Sequence, residues 1–460
     1  MAAQRKIDLS LESVRRLLRM GATPNLLNLL QKQHPADLAQ IFAELQEKER
    51  HAAFNILVEK NGKLAMEALS ELGPESGAEL LSLRSAEEIA HFLQEIPSDD
   101  AAALIEHLGD ELRVAVLELI RPKPGGGVSE LLEYDEQTAG RLMNPNVFAL
   151  SEDLTAGEAI TALQQARDVE MVFYLYVVDA RRHLVGVVSL RRLLLVPPDT
   201  PLKRIMTTEV YSARVDTDQE EVARQVASYN LLAIPAVDAE NKLVGVITVD
   251  DVIDVIKDEA TEDVFRLAGV SKDDGVLTPP GESLKRRLPW LLVNLATAFL
   301  AAAVVSAFTD TIKQVVALAA FMPVVAGMGG NAATQTLAVI VRGIALGELT
   351  WTNARHALMK EGLVGLGNGV VVGLAGAGAV YVFTGDWVLG LILMAAMIIN
   401  MFVAAVGGTL VPLGLRALKI DPALASSVFI TTFTDVFGFL SFLGLGTVFV
   451  RFLHQGAPIP

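Results

Sequence analysis

The chain has 460 residues, 52% of them apolar, and a formal net charge of −16. That is longer than one small domain and more apolar than a soluble protein, so part of it is expected in lipid. Such an acidic chain repels phosphate backbones, which argues against nucleic acid as a partner and for cations; with no cysteine at all, disulfides and thiolate metal sites are excluded.

Charge divides the sequence. Residues 288–460 hold 7 Lys/Arg and 6 Asp/Glu, leaving 31 and 48 for residues 1–287, so the first part carries about −17. It opens on MAAQRKIDLSLESVRRLLRM, which has no apolar core of signal-peptide type, and is expected in the cytoplasm. Residues 1–127 read as short amphipathic helices. The pattern in HPADLAQIFAEL recurs in SAEEIAHFLQEI and PSDDAAALIEHL, which predicts an all-α repeat domain closed by the RPKPGGG linker.

An internal duplication follows, with RLMNP (141–145) paired to RIMTT (204–208) and LVGVVSLRRLL paired to LVGVITVDDVI. Two copies of one small α/β unit are expected, 128–199 and 200–258. The repeat and its ending resemble a tandem CBS pair. That resemblance implies packing about a pseudo-twofold axis and raises an ATP or other adenine-nucleotide site. In such sites a Ser/Thr precedes an acid that meets the ribose; Thr248 and Asp251 fit, whereas Ser189 is followed by Arg192. Nucleotide binding is left open on this ground.

Residues 259–287 form an acidic connector, predicted helical. From Asp250 to Asp263 half the residues are carboxylates. Such a run is either a solvated helix face or a place where divalent ions are shared between domains.

Five uncharged apolar stretches complete the chain, near 288–308, 314–341, 362–385, 387–415 and 422–450, each long enough to cross a bilayer. Lys285, Arg286 and Arg287 precede the first, and the loops after the second and fourth are basic, which places the N-terminus inside and the C-terminus outside. Asp435 is the ionisable residue within these stretches. A mid-bilayer acid is costly, so it should face water or a bundle interior. Ser427, Thr431, Asp435 and Gly438 share one helical stripe. In the second stretch Pro323, Gly327, Gly329 and Gly330 are expected to loosen the helix beside Asn331, Thr334 and Gln335, lining a wet cavity. Gly365, Gly369, Gly373 and Ala377 form a small-residue ridge suited to helix packing. Hydroxyls, amides and one carboxylate are hard oxygen ligands; with His356 and His454 outside the stretches, they fit Mg²⁺ better than zinc or copper, while Mn²⁺, Co²⁺ and Ca²⁺ stay open. Two carboxylates balance one divalent ion, so a homodimer is expected.

The segments YDEQTAGRLMNP, TVDDVIDVIKDEATEDVFRLAGV, RLPWL, FMPVVAGMGGN and IDPALASSVFITTFTDVFGF resemble the MgtE-type magnesium channels over nearly the whole chain. The resemblance implies an inner-membrane homodimer with a pore built from spans 2 and 5, with Asp435 as the pore acid and Thr431 and Ser427 nearby. Ser427 departs from the asparagine common in the family, and GGNAATQ departs from GGNxGxQ, although Asn331 and Gln335 stand where expected. Regulatory Mg²⁺ positions map onto Glu67, Asp99, Asp218, Glu220, Asp251, Asp254, Glu259, Glu262 and Asp263, while Ala103 and Asn230 have lost their acids. No catalytic motif is present, so no enzymatic activity is expected. A proton- or sodium-coupled carrier of another divalent ion and a membrane-anchored CBS sensor are the alternatives.

Overall fold

The computed structural model describes residues 2–120, 127–166, 173–271, 274–276, 278–422 and 426–452. The chain divides into two compact units, Met1–Ile256 and Lys257–Pro460.

The first unit begins with nine helices between Ala2 and Leu119. The recurring sequence pattern marks their starts. His34 caps Pro35–Glu44 by accepting from the Ala36 amide, and Ser85 caps Ala86–Leu93 in a reciprocal box with Glu88. Acids in the first turns (Asp37, Glu87, Glu88, Asp99, Asp100) complement the helix dipoles. The apolar residues of the same pattern face inward: Leu38, Ile41, Phe42, Ile89 and Ile105 are fully buried, and Phe42 meets Phe54 edge to face at 6.5 Å. This core continues into the second CBS copy through Val222, Ile234, Ile247 and Val252.

Each CBS copy carries a three-stranded sheet: β1 (Ala149–Ser151), β2 (Tyr174–Val178) and β3 (Leu184–Ser189), then β4 (Ala213–Arg214), β5 (Ala233–Val237) and β6 (Leu243–Thr248). In both, the first pair is parallel and the second antiparallel. The duplication extends to the irregularities, a register shift at Val177/Val178 answered by one at Ala236/Val237. The paired motifs also cross over. Met143 of the first copy packs on Gly245 of the second, and Met206 of the second on Gly186 of the first; a Cβ on either glycine would lie 2.6–2.7 Å from a methionine sulfur. Asn144 bridges to Val246 and Thr207 to Val187. At the opposite turns Leu184 N–H donates to the Asn241 carbonyl and Leu243 N–H to the Arg182 carbonyl, each at 3.0 Å.

The second unit contains five helices long and apolar enough to cross a membrane, so the chain is a multi-pass membrane protein. They are span 1 (Pro280–Ala307), span 2 (Ala317–Ala345), span 3 (Ala354–Thr384), span 4 (Trp387–Ala417) and span 5 (Ser426–Val448). Span 4 is the most enclosed, packed by spans 2, 3 and 5. The glycine ridge of span 3 lies against it: a Cβ on Gly365 would sit 2.7 Å from the Met401 carbonyl oxygen, and one on Gly369 2.7 Å from the Ile398 Cα. Asp386 starts span 4 by accepting from the Val388 and Leu389 amides at 2.9 and 3.2 Å.

Two expectations change. Span 2 is one continuous helix through Pro323 and its glycines. Pro323 stands inside this helix and gives up its own bond to the Ala319 carbonyl, one turn back, while the helical bonds on either side carry the span through. Span 3 begins well before the apolar run, so it includes Lys360 and Glu361.

Candidate ion path and cation-sensing sites

On span 5 Asp435 is half-buried, and among the described residues it has no hydrogen-bond or ion-pair partner. Thr431 Oγ1, one turn earlier, donates to the Val428 carbonyl at 3.1 Å, so its proton is used on the helix. The Ser427 side chain lies outside the described residues. On span 2 Asn331, Thr334 and Gln335 are exposed on one face. A stripe of amides on a membrane helix cannot rest against lipid tails, so water or another protein surface must cover it.

A second polar feature of this unit was missed from sequence. Glu361, 4% exposed, accepts from Thr336 Oγ1 on span 2 at 3.3 Å and pairs with Lys360. Standing at the edge of an apolar run, it reads as a loop charge until the helix is seen to begin at Ala354. Asn400 on span 4 was missed likewise: it is fully buried, and its Nδ2 donates to the Val325 carbonyl of span 2 at 2.9 Å. Its signal was an amide inside an otherwise apolar run.

The candidate sensing residues fall into separate groups. Asp99, at the start of helix Ser98–Glu106, and Asp251, at the start of the connecting helix Val249–Leu267, come together with Asp100. Burial, then the charges of Asp251 and Asp100, push the Asp99 carboxyl well above its usual range. Burial pushes Asp251 up to about 7, opposed by the Thr248 hydroxyl, which donates to it at 2.7 Å. Asn144 Nδ2 reaches Asp99 at 3.4 Å. Nearby, Arg141 ties the first CBS motif to Glu106 at 2.5 Å. Glu67 instead pairs with Lys63 at 3.8 Å, and Asp218 caps helix Gln219–Tyr229 while Glu220 meets Arg224 at 3.2 Å.

Farther along the connecting helix, Asp254 is exposed, Glu259 and Asp263 are half-buried and Glu262 is buried. Arg266 pairs with Glu262 and also with Asp421, just before span 5. In the first CBS copy Ser189 Oγ accepts from the Arg192 amide at 3.3 Å, so the Ser189/Arg192 pair acts as a helix cap. Among the described residues one histidine-containing group has ligand spacing, Glu47, His51 and Glu79, but it lies at the surface and Arg50 stands 3.6 Å from Glu79.

A paired-CBS sensor joined to a helical bundle with an acid in its fifth helix defines the class, a divalent-cation transporter with regulatory domains. Family models agree: "Divalent cation transporter" matches residues 322–445, "MgtE intracellular N domain" residues 33–137, and "CBS domain" residues 139–199 and 202–258. The magnesium transporter MgtE of Bacillus subtilis is 34% identical over 438 residues, 95% of this chain and 96% of that one. The magnesium transporter MgtE of Thermus thermophilus is 34% identical over 454 residues, 95% and 98% of the two chains. The crystal structure of the cytosolic domain of the Mg²⁺ channel MgtE in complex with ATP is 37% identical, has a TM-score of 0.50, and covers 53% of this chain and 99% of its own. The chain belongs to the MgtE family of magnesium transporters.

Proposed function

We propose that the chain conducts Mg²⁺ across the inner membrane as a homodimer, and that cytoplasmic Mg²⁺ closes it. The observation that carries this reading is Asp435, a half-buried acid without a protein partner among the described residues, one turn from Thr431 in a helix with no other charge. The exposed amides of Asn331 and Gln335 on span 2 support a second copy completing the path. Mg²⁺ sheds water reluctantly, and a few oxygen ligands around two carboxylates suit an ion that keeps part of its hydration shell.

Closure follows from the acids of the first unit and the connecting helix. Without cation, Asp99, Asp100 and Asp251 repel; a bound divalent ion favours the compact state, and several such sites together shift the population toward the closed pore. The MgtE relation also brings an adenine nucleotide to the CBS pair. Its ribose would meet Thr248 and Asp251, so nucleotide and cation would compete for Asp251. The full chain in liposomes tests the path: Asp435→Asn keeps the fold and loses most Mg²⁺ flux. Wild-type flux in that variant refutes the pore assignment, and flux that follows a proton gradient rather than the Mg²⁺ gradient indicates a coupled carrier.

A further inference from the structure

We infer that Asn400 is a positioning residue that keys span 2 to span 5 at the level of the ion path. The inference rests on the pore reading above. Asn400 belongs to neither helix; it reaches out of span 4 and is fully buried between them. Both neighbours give way to it with a glycine. The three atoms nearest a Cβ at Gly438 would all be in the Asn400 carboxamide, the first at 2.7 Å, and a Cβ at Gly329 would overlap the same group. Gly438 is one turn beyond Asp435, and Gly329 is two residues before Asn331.

The hydrogen bond explains the choice of residue. Asn400 Nδ2 donates to the Val325 carbonyl at 2.9 Å, an oxygen that accepts the helical bond of span 2 with one lone pair and has a second to offer. The missing side chain at Gly329 opens that oxygen to span 4. Filling alone does not account for Asn400, because its Oδ1 is buried with no hydrogen-bond partner among the described residues. An unanswered buried amide oxygen costs free energy, whereas leucine would fill similar space without that cost. What the amide adds is direction: it fixes the height and rotation of span 2 against span 5, and so the distance between Asn331 or Gln335 and Asp435.

The test uses the full chain in liposomes, with two readouts. The first is Mg²⁺ flux. Asn400→Leu, which keeps the volume and removes the donor, should raise the half-saturating Mg²⁺ concentration about tenfold or more, because a displacement near 1 Å in a ligand set is enough for that. The second does not depend on transport. The chain has no cysteine, so spin labels at Val316→Cys and Val448→Cys, exposed positions at the outer ends of spans 2 and 5, report the distance between these helices. Asn400→Leu should broaden or shift that distance. A wild-type distance together with wild-type half-saturation in Asn400→Leu overturns the inference.

Should Asn400→Leu fail to assemble, Gly438→Ala decides. Alone it displaces the helices; combined with Asn400→Ala it recovers, since the atoms it strikes are gone. An equal defect in both backgrounds overturns the keying. If Asp435→Asn conducts as wild type while the labels still move in Asn400→Leu, the pore reading fails and the keying stands.

Discussion

Asp251→Asn should weaken the pH dependence of the contact between the helical domain and the second CBS copy. In the folded chain Asp251 is held near 7, mainly by burial, whereas an unfolded aspartate titrates near 4. Between those values the folded chain keeps a proton that the unfolded chain has released, so stability is full below about 4 and is lost as pH rises through about 7. At about 1.4 kcal/mol per pH unit the loss sums to about 4 kcal/mol, an upper bound because water still reaches and screens the side chain. Asp99, raised in the same direction, adds to it. Hydrogen exchange of the full chain in detergent, without divalent ions, between pH 5 and 8 reads this on helix Ser98–Glu106 and the first turns of the connecting helix. Wild type should lose protection with rising pH, and millimolar Mg²⁺ should restore it at pH 8 by neutralising the paired carboxylates. Asp251→Asn should show a shallower slope and a weaker Mg²⁺ response. An undiminished slope in the variant would refute the assignment of the titration to this contact.

Replacing Asp254, Glu259, Glu262 and Asp263 with their amides should leave a channel that conducts but no longer closes as cytoplasmic Mg²⁺ rises into the millimolar range, read by patch recording; closure at the wild-type concentration would refute a sensing role for those acids. Gly365→Leu should destabilise the spans by about 3 kcal/mol or more, since the new Cβ meets the Met401 carbonyl, and should lower the melting temperature in detergent. Gly367→Leu, two residues on with nothing within 4 Å, should leave it unchanged.

What could be read from the sequence depended on whether the signal was local. Asp435 announced itself as a charge in an apolar run, and the CBS duplication was visible because strand, turn and Gly-x-x-Ser/Thr recur with one spacing. The helical repeat showed through the similar helix starts HPAD, SAEE and PSDD, the first two of them capped. Asn400 did not show its role, because an amide in an apolar run names no partner and its purpose depends on Gly329 and Gly438 in two other helices. Read along span 2 alone, Gly329 loosens a helix; in the bundle it makes room for a neighbour. Asp99 and Asp251 stand about 150 residues apart, and no periodicity links them; only the family resemblance placed them on the same list.

The crossed seating of Met143 on Gly245 and Met206 on Gly186 means that neither CBS copy is complete by itself. A single copy would present a glycine-floored notch to water and an unmatched methionine beside it, and the simplest remedy is another copy of the same unit. The module therefore behaves as a dimer whose two subunits were joined into one chain. Such a block does not bend between its halves, because parting them would open both notches at once.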